Sequence, residues 1–199
     1  RNSEAVRENL SVESLDILKG IDDSSVYRIA VISENADSEI EEANAGMREG
    51  YYAFNGCIKG ISKEILDNVK ALQLRREYAP YDILSFDERT TLYTLGGVKY
   101  IIKYENSEKK QPWGYKLIKE EEIEQAGEKK SIQHWENEHT LPIIYSYDKI
   151  VSNSKYEAMK SYEKEEAMLQ GLVIDEKDNC GLEEIDIQSD DTVVLNNRD

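Results

Sequence analysis

Residues 90–104 read TTLYTLGGVKYIIKY, and the Gly96-Gly97 pair at their centre decides the fold class. A phosphate-cradling loop follows a strand and opens a helix, so that free N–H groups and the positive end of the helix dipole face the anion. Here the order is reversed. Asp87 is placed to cap a helix over 88–95, in which Thr91, Leu92 and Leu95 share a face and which Gly96 stops. Beyond the glycines, Val98, Tyr100 and Ile102 alternate with Lys99, Ile101 and Lys103, and β-branched or aromatic residues dominate the run. A helix C-terminus that hands over to a strand repels anions, so the stretch reads as a helix-to-strand turn.

Outward from this turn the same interleaving continues. Ser11 and Gly20 bound a short helix bearing Val12, Leu15, Ile17 and Leu18, and VYRIAV at 26–31 is a strand apolar on nearly both sides. An acidic connection, SENADSEIEEANAGMREG, leads into the aromatic run Tyr51, Tyr52, Ala53, Phe54, Asn55, Gly56. The next helix is capped by Ser62, with Ile61 and Leu66 as a hydrophobic staple and Ile65, Leu66, Val69 and Leu72 as its stripe. QPWG reads as a turn before the strand YKLI, which is expected to pair with 98–104 as a hairpin; EEEIEQAGEKK reads as a solvated loop or frayed helical turn. SIQHWENE and LPIIYSYDKIV supply two further strands, with Pro142 marking an edge. Ser154 and Glu157 form a capping box for the longest helix, which runs to Gly171 with Tyr156, Met159, Met168 and Leu169 toward the core. The fold class expected is α/β (or α+β), a mixed sheet of about five strands with helices packed on it. Residues 1–174 form this domain, and 175–199 the acidic start of a following domain or a tail.

Composition narrows the function. The chain carries 25 basic and 41 acidic residues, a formal net charge of −16, which argues against long-range attraction to nucleic acid or to anionic lipid. No apolar run reaches the roughly eighteen residues needed to span a bilayer, and no N-terminal signal pattern is present. Because the chain begins with Arg1, it is expected to be a segment of something longer. Cys57 and Cys180 lack CxxC spacing, so two free thiols are the default, with a disulfide left open.

The chemistry-bearing patterns are sparse. Asp22-Asp23, Glu41-Glu42 and Asp190-Asp191 are carboxylate pairs whose adjacency in sequence says nothing of a pocket, and they read as solvated surface. His134 and His139, at an odd spacing, point to opposite faces of a strand and make no metal pair. DEKDNCGLEEID departs from a calcium loop at its glycine and at its closing glutamate. No catalytic residue, metal or cofactor is assigned. The aromatic run is the most distinctive surface: Arg48, Tyr51, Tyr52, Phe54 and Asn55 could stack on and hydrogen-bond a sugar, and Trp113 is a second ring in a turn. Against this stands the plainer reading, in which Tyr51 and Phe54 plug the core edge, or in which the rings anchor at a bilayer surface.

The ordered segments VYRIAV, NAGMREGYYAFNG, TTLYTLGGVKYIIKY, PWGYKLI, ENEHTLPIIYSYDKIVSNSKYEAM and EKEEAMLQGLVI resemble the YfhO family of bacterial multi-spanning membrane proteins, over roughly residues 25–175. The region Tyr51–Cys57 departs from the family's longer tyrosine and serine pattern. The resemblance implies a parent similar to GT-C glycosyltransferases, which transfer a sugar from polyprenyl phosphate to a wall polymer such as lipoteichoic acid. It implies that this segment lies on the extracellular face of the cell membrane, non-catalytic by itself. The implied partners are the parent's own transmembrane portion and a polyprenyl-linked sugar or wall polymer. Two competing readings are an extracellular glycan- or protein-binding module without a transferase role, and a soluble hydrolase using paired carboxylates.

Overall fold

The computed structural model of the chain describes residues 21, 25–32, 46, 50–54, 56–57, 62–74, 82–83, 86–125, 128–178 and 181–187. It divides into two compact units, residues 1–62 with 75–144, and residues 63–74 with 145–199. The helix expected after Ser11 and most of the acidic connection fall outside the described residues.

The first unit is built on a mixed four-stranded sheet. In chain order its strands are β1 (Arg28–Ile32), β4 (Val98–Tyr104), β5 (Lys116–Gln125) and β6 (Glu128–Glu136), arranged β1-β4-β6-β5. β1 runs parallel to β4, and the other pairings are antiparallel. The near-continuous apolar character of RIAVI and VKYIIKY has a direct cause, because both faces of these strands are covered. Ile29, Val31, Tyr100, Ile102, Tyr104 and Ile132 pack into one cluster, and Ala30, Ile32, Tyr93, Val98, Ile101 and Tyr115 into another. A two-stranded ribbon, β2 (Gly56–Cys57) with β3 (Asp82–Ile83), completes the strands described in this unit.

The hairpin differs from expectation in two ways. β6, not β5, lies beside β4, and the acidic run placed in a loop is the second half of the ten-residue strand β5. That half is held by polar cross-strand pairs instead of apolar alternation: Gln133 Nε2 donates to Glu120 Oε1 at 2.7 Å, and Lys129 Nζ lies 3.3 Å from Glu122 Oε2. The segment LPII at 141–144 is irregular, not a strand. Thr140 ties the chain there, its hydroxyl donating to the Val98 carbonyl at 3.1 Å.

Helix α2 (Thr90–Leu95) begins later than expected, because Asp87 and Glu88 take positive φ values of 53° and 56° and Arg89 is the N-cap. Its end is where the sequence puts it, at Leu95 with Gly96 as the C-cap. Gly96 stays in the right-handed region, and Gly97, at φ 69°, is the left-handed residue that turns the chain.

The second unit is a strand–helix–helix–strand crossover. β7 (Lys149–Ser152) is followed by α3 (Asn153–Ala158) and α4 (Ser161–Gln170), and β8 (Leu172–Ile174) returns parallel to β7. β9 (Glu183–Glu184) pairs with the other side of β7. Val151, Tyr156 and Ala167 form the core, joined by Met159, Met168, Val173, Ile185 and Ile187, so residues beyond 174 add to this sheet and core. The single long helix expected from 154 to 171 is two helices. Lys160 is extended between them, and its N–H donates to Glu163 Oε2 at 2.7 Å. The side-chain cap therefore sits at 160 and 163, while Ser154 lies inside α3 with its hydroxyl bonded to Glu176. Leu169, expected in the core, is 38% exposed. Helix α1 (Lys63–Ala71) belongs to this unit; its Ile65 faces solvent, whereas Leu72 just beyond its end is buried. Ile61 of the expected staple lies outside the described residues.

Candidate functional site

The Gly96-Gly97 turn offers no anion cradle. The Gly96 N–H donates to Leu92 O at 2.9 Å and the Gly97 N–H to Thr94 O at 3.1 Å, so both amides are consumed by the helix end. What the turn presents is acceptors. The Arg28 backbone N–H donates to Gly97 O at 2.8 Å, and its guanidinium donates to Gly96 O. The turn thus anchors the start of β1 beside β4.

The aromatic run divides its rings between the two faces of the sheet. Residues 52–54 bridge the outer edge of β1: the Ile29 N–H donates to Tyr52 O at 2.9 Å and the Phe54 N–H to Ile29 O at 2.8 Å, with Ile29 and Ala53 paired in parallel. Tyr51 packs against the Ile29 cluster. Phe54 packs against the other, with ring centroids 4.4 Å from Phe86 and 5.4 Å from Tyr93. These two rings are partly buried plugs, and Tyr52, 64% exposed, is the ring of the three that faces water. Trp113 is 89% exposed in the first unit. Arg48 and Asn55 lie outside the described residues, as do Cys180 and the six carboxylates of the adjacent pairs.

The most concentrated polar chemistry escaped the sequence reading. Lys119, Glu121 and His134 meet on one face of the β5–β6 hairpin, where a register shift between Leu117 and Lys119 sets Lys119 opposite His134. His134 is wholly buried; its Nε2 lies 2.9 Å from Glu121 Oε1, and Lys119 Nζ lies 2.6 Å from Glu121 Oε2. His134 Nδ1 has no hydrogen-bond partner. Burial lowers the histidine pKa below its ordinary value, and the nearby Lys119 charge adds to this, against the raising influence of Glu121. For Glu121, burial pushes upward, but the hydrogen bonds from Lys119 and His134 together with the Lys119 charge outweigh it and hold the carboxyl below its usual range. A neutral imidazole donating from Nε2 satisfies both observations, with Lys119 supplying the charge that Glu121 needs. An Nδ1 lone pair left bare costs less than a buried, unbonded N–H would. The signal for this group was the lysine–glutamate–isoleucine alternation at 119, 121 and 123, legible only once the hairpin register is known.

His139 lies beyond β6 in a turn, its N–H donating to Asn137 Oδ1 at 3.0 Å, so the two histidines do not share a strand. Asp175 pairs with Lys177 at 3.1 Å and Glu176 accepts from Ser154. Among the described residues no group of three or more His, Cys, Asp or Glu side chains could hold a metal ion. Among them, too, no helix is long and apolar enough to cross a membrane.

A curated relative, "Uncharacterized protein YfhO" of Bacillus subtilis (strain 168), is 27% identical over 182 residues, which is 90% of this chain and 19% of that protein. The chain therefore spans about a fifth of the length of the relative it matches. No solved structure matches it. A family model described as "Bacterial membrane protein YfhO" matches residues 3–197, nearly the whole chain, and the chain accordingly belongs to the YfhO family of bacterial membrane proteins.

Proposed function

We propose that this chain is the extracytoplasmic part of a multi-spanning membrane protein, and that it assists transfer of a sugar from a polyprenyl-phosphate donor to a wall polymer such as lipoteichoic acid, without catalysing the step itself. The observation that carries the reading is the pairing of YfhO membership with described residues that form two water-compatible α/β units and no spanning helix. Such a part has its partner in the rest of its own chain, with the donor and acceptor meeting the protein at the membrane surface. The catalytic carboxylate belongs to that remainder in this reading, and Tyr52, 64% exposed, is the ring it assigns to polymer contact.

The test is genetic and chemical. The sugar content of lipoteichoic acid is measured in a deletion strain, in the same strain restored with the full-length protein, and in one restored with its Tyr52→Ala variant. The expected pattern is loss on deletion, return with the full-length protein, and a partial return with Tyr52→Ala. Unchanged sugar in the deletion strain contradicts the transferase reading.

The exposed Tyr52 and Trp113 rings favour one second reading, a glycan-binding module with no transferase role. It predicts saturable binding of wall-polymer fragments to the 199-residue chain that Tyr52→Ala weakens, together with unaltered sugar content in the deletion strain.

A further inference from the structure

Trp113 is presented to solvent by a turn that is fixed on every side. Pro112 before it is fully buried, and Tyr115 after it is buried with its hydroxyl donating to Val98 O at 2.6 Å. Gly114 between them takes φ 87°, and the Thr90 hydroxyl donates to the Trp113 carbonyl. A flexible loop could fold its indole back onto the protein, but this one holds it out at 89% exposure. Four and five residues on, the register shift in β5 leaves Leu117 and Ile118 44% and 45% exposed in succession.

The sequence around this turn is basic, although two of its lysines are paired with glutamates. Residues 109–119, KKQPWGYKLIK, hold four lysines and no acidic residue, in a chain whose formal net charge is −16. Lys116 is matched by Glu138 and Lys119 by Glu121, and Lys110 is exposed just before the turn. An indole with flanking aliphatics and lysines is the combination that settles at the headgroup level of a bilayer, where the ring keeps one edge wet and the ammonium groups meet phosphate.

We propose that the Trp113 turn is a membrane-contact site, which seats this part of the protein on the anionic phospholipid surface of the bilayer that holds the remainder of its chain. Its occupant is a lipid surface because the chain belongs to a family of bacterial membrane proteins, and because Lys110, exposed beside the indole, supplies a cation for anionic headgroups although the chain as a whole is acidic. The proposal rests on the exposed turn and on family membership, and stands whether or not the protein takes part in sugar transfer.

The experiment holds the 199-residue chain at a bilayer as its parent would, through a terminal histidine tag on vesicles containing a nickel-chelating lipid, and measures quenching of tryptophan emission by bromine-labelled acyl chains. One vesicle set is phosphatidylcholine; the other is equal parts phosphatidylcholine and phosphatidylglycerol. Trp135, the second of two tryptophans, is part-buried on β6 and serves as the internal reference through the Trp113→Phe variant. The expected result is quenching in the phosphatidylglycerol vesicles that Trp113→Phe removes. Without the tag, affinity for these vesicles should fall about fivefold or more in Lys110→Glu. Equal quenching in the wild type and in Trp113→Phe overturns the proposal. So does a Trp113 emission shift produced by soluble poly(glycerol phosphate) in the absence of quenching on vesicles, which would reassign the turn to a polymer.

Discussion

At His134, burial and hydrogen bonding pull in opposite directions, and the outcome sets how this protein responds to acid. The imidazole is wholly enclosed and its pKa lies below the ordinary 6.5, so the folded state resists a proton that the unfolded chain accepts. Stability from this residue is present above pH 6.5 and declines as the pH falls from there toward the folded value. Glu121 acts in the same sense at lower pH, since its carboxyl is held below 4.5 and its contribution is lost as the pH falls through the folded value. Thermal unfolding followed between about pH 5 and pH 8 should therefore show a falling midpoint on acidification. His134→Leu should flatten that slope, because it removes the group that the unfolded chain protonates; an unchanged slope in the variant would show that other residues cause it. Tyr52 is the other residue whose exposure has a consequence: Tyr52→Ala should leave stability within about 0.5 kcal/mol of the parent, as for surface positions generally, so any loss of polymer binding would report on contact.

Among the elements, the glycine turn gives the cleanest contrast. Gly97 sits at φ 69°, and a β-carbon there would lie 3.4 Å from Ile143 Cγ1 and Leu141 O. Gly97→Ala should destabilise the first unit by about 1–2 kcal/mol, and Gly96→Ala, in the right-handed region, by less; denaturant titration of the two variants checks the order. In the second unit, Glu163→Ala removes the acceptor for the Lys160 N–H and should cost about 0.5–2 kcal/mol, read in the same way. The elements that the residues announced were those with one dominant signal: the apolar runs of β1 and β4, and the helix-to-strand turn between them. The break between α3 and α4 was not announced, because no glycine or proline stands at Met159-Lys160 and the deciding contacts are distant ones, such as the Ser161 hydroxyl on Leu72 O at 3.1 Å. The long β5–β6 hairpin was hidden for a related reason. Its outer half is held by charge pairs across the ladder, which resemble a solvated loop when read along one strand. The Lys119–Glu121–His134 group followed that hairpin out of view.

At the scale of the whole molecule, the α/β class was legible in the alternation of element types, whereas the division of the described strands among three sheets was not. Residues 63–74, which lie between β2 and β3 in sequence, belong with 145–199, and no composition shift marks any of the three crossings between units. The aromatic run shows the same limit on a site: sequence identified its rings, and only the sheet edge decided that Tyr51 and Phe54 turn inward while Tyr52 does not. The proposed function requires these units to stand outside the cell, attached to a membrane-embedded remainder. The direct measurement is cysteine accessibility in the full-length protein, with its native cysteines, Cys57 and Cys180 among them, replaced by serine and a single cysteine introduced at the exposed Tyr162 or Lys63. The account predicts that a membrane-impermeant maleimide labels both positions in intact cells. Labelling that appears only after the cells are lysed would contradict it.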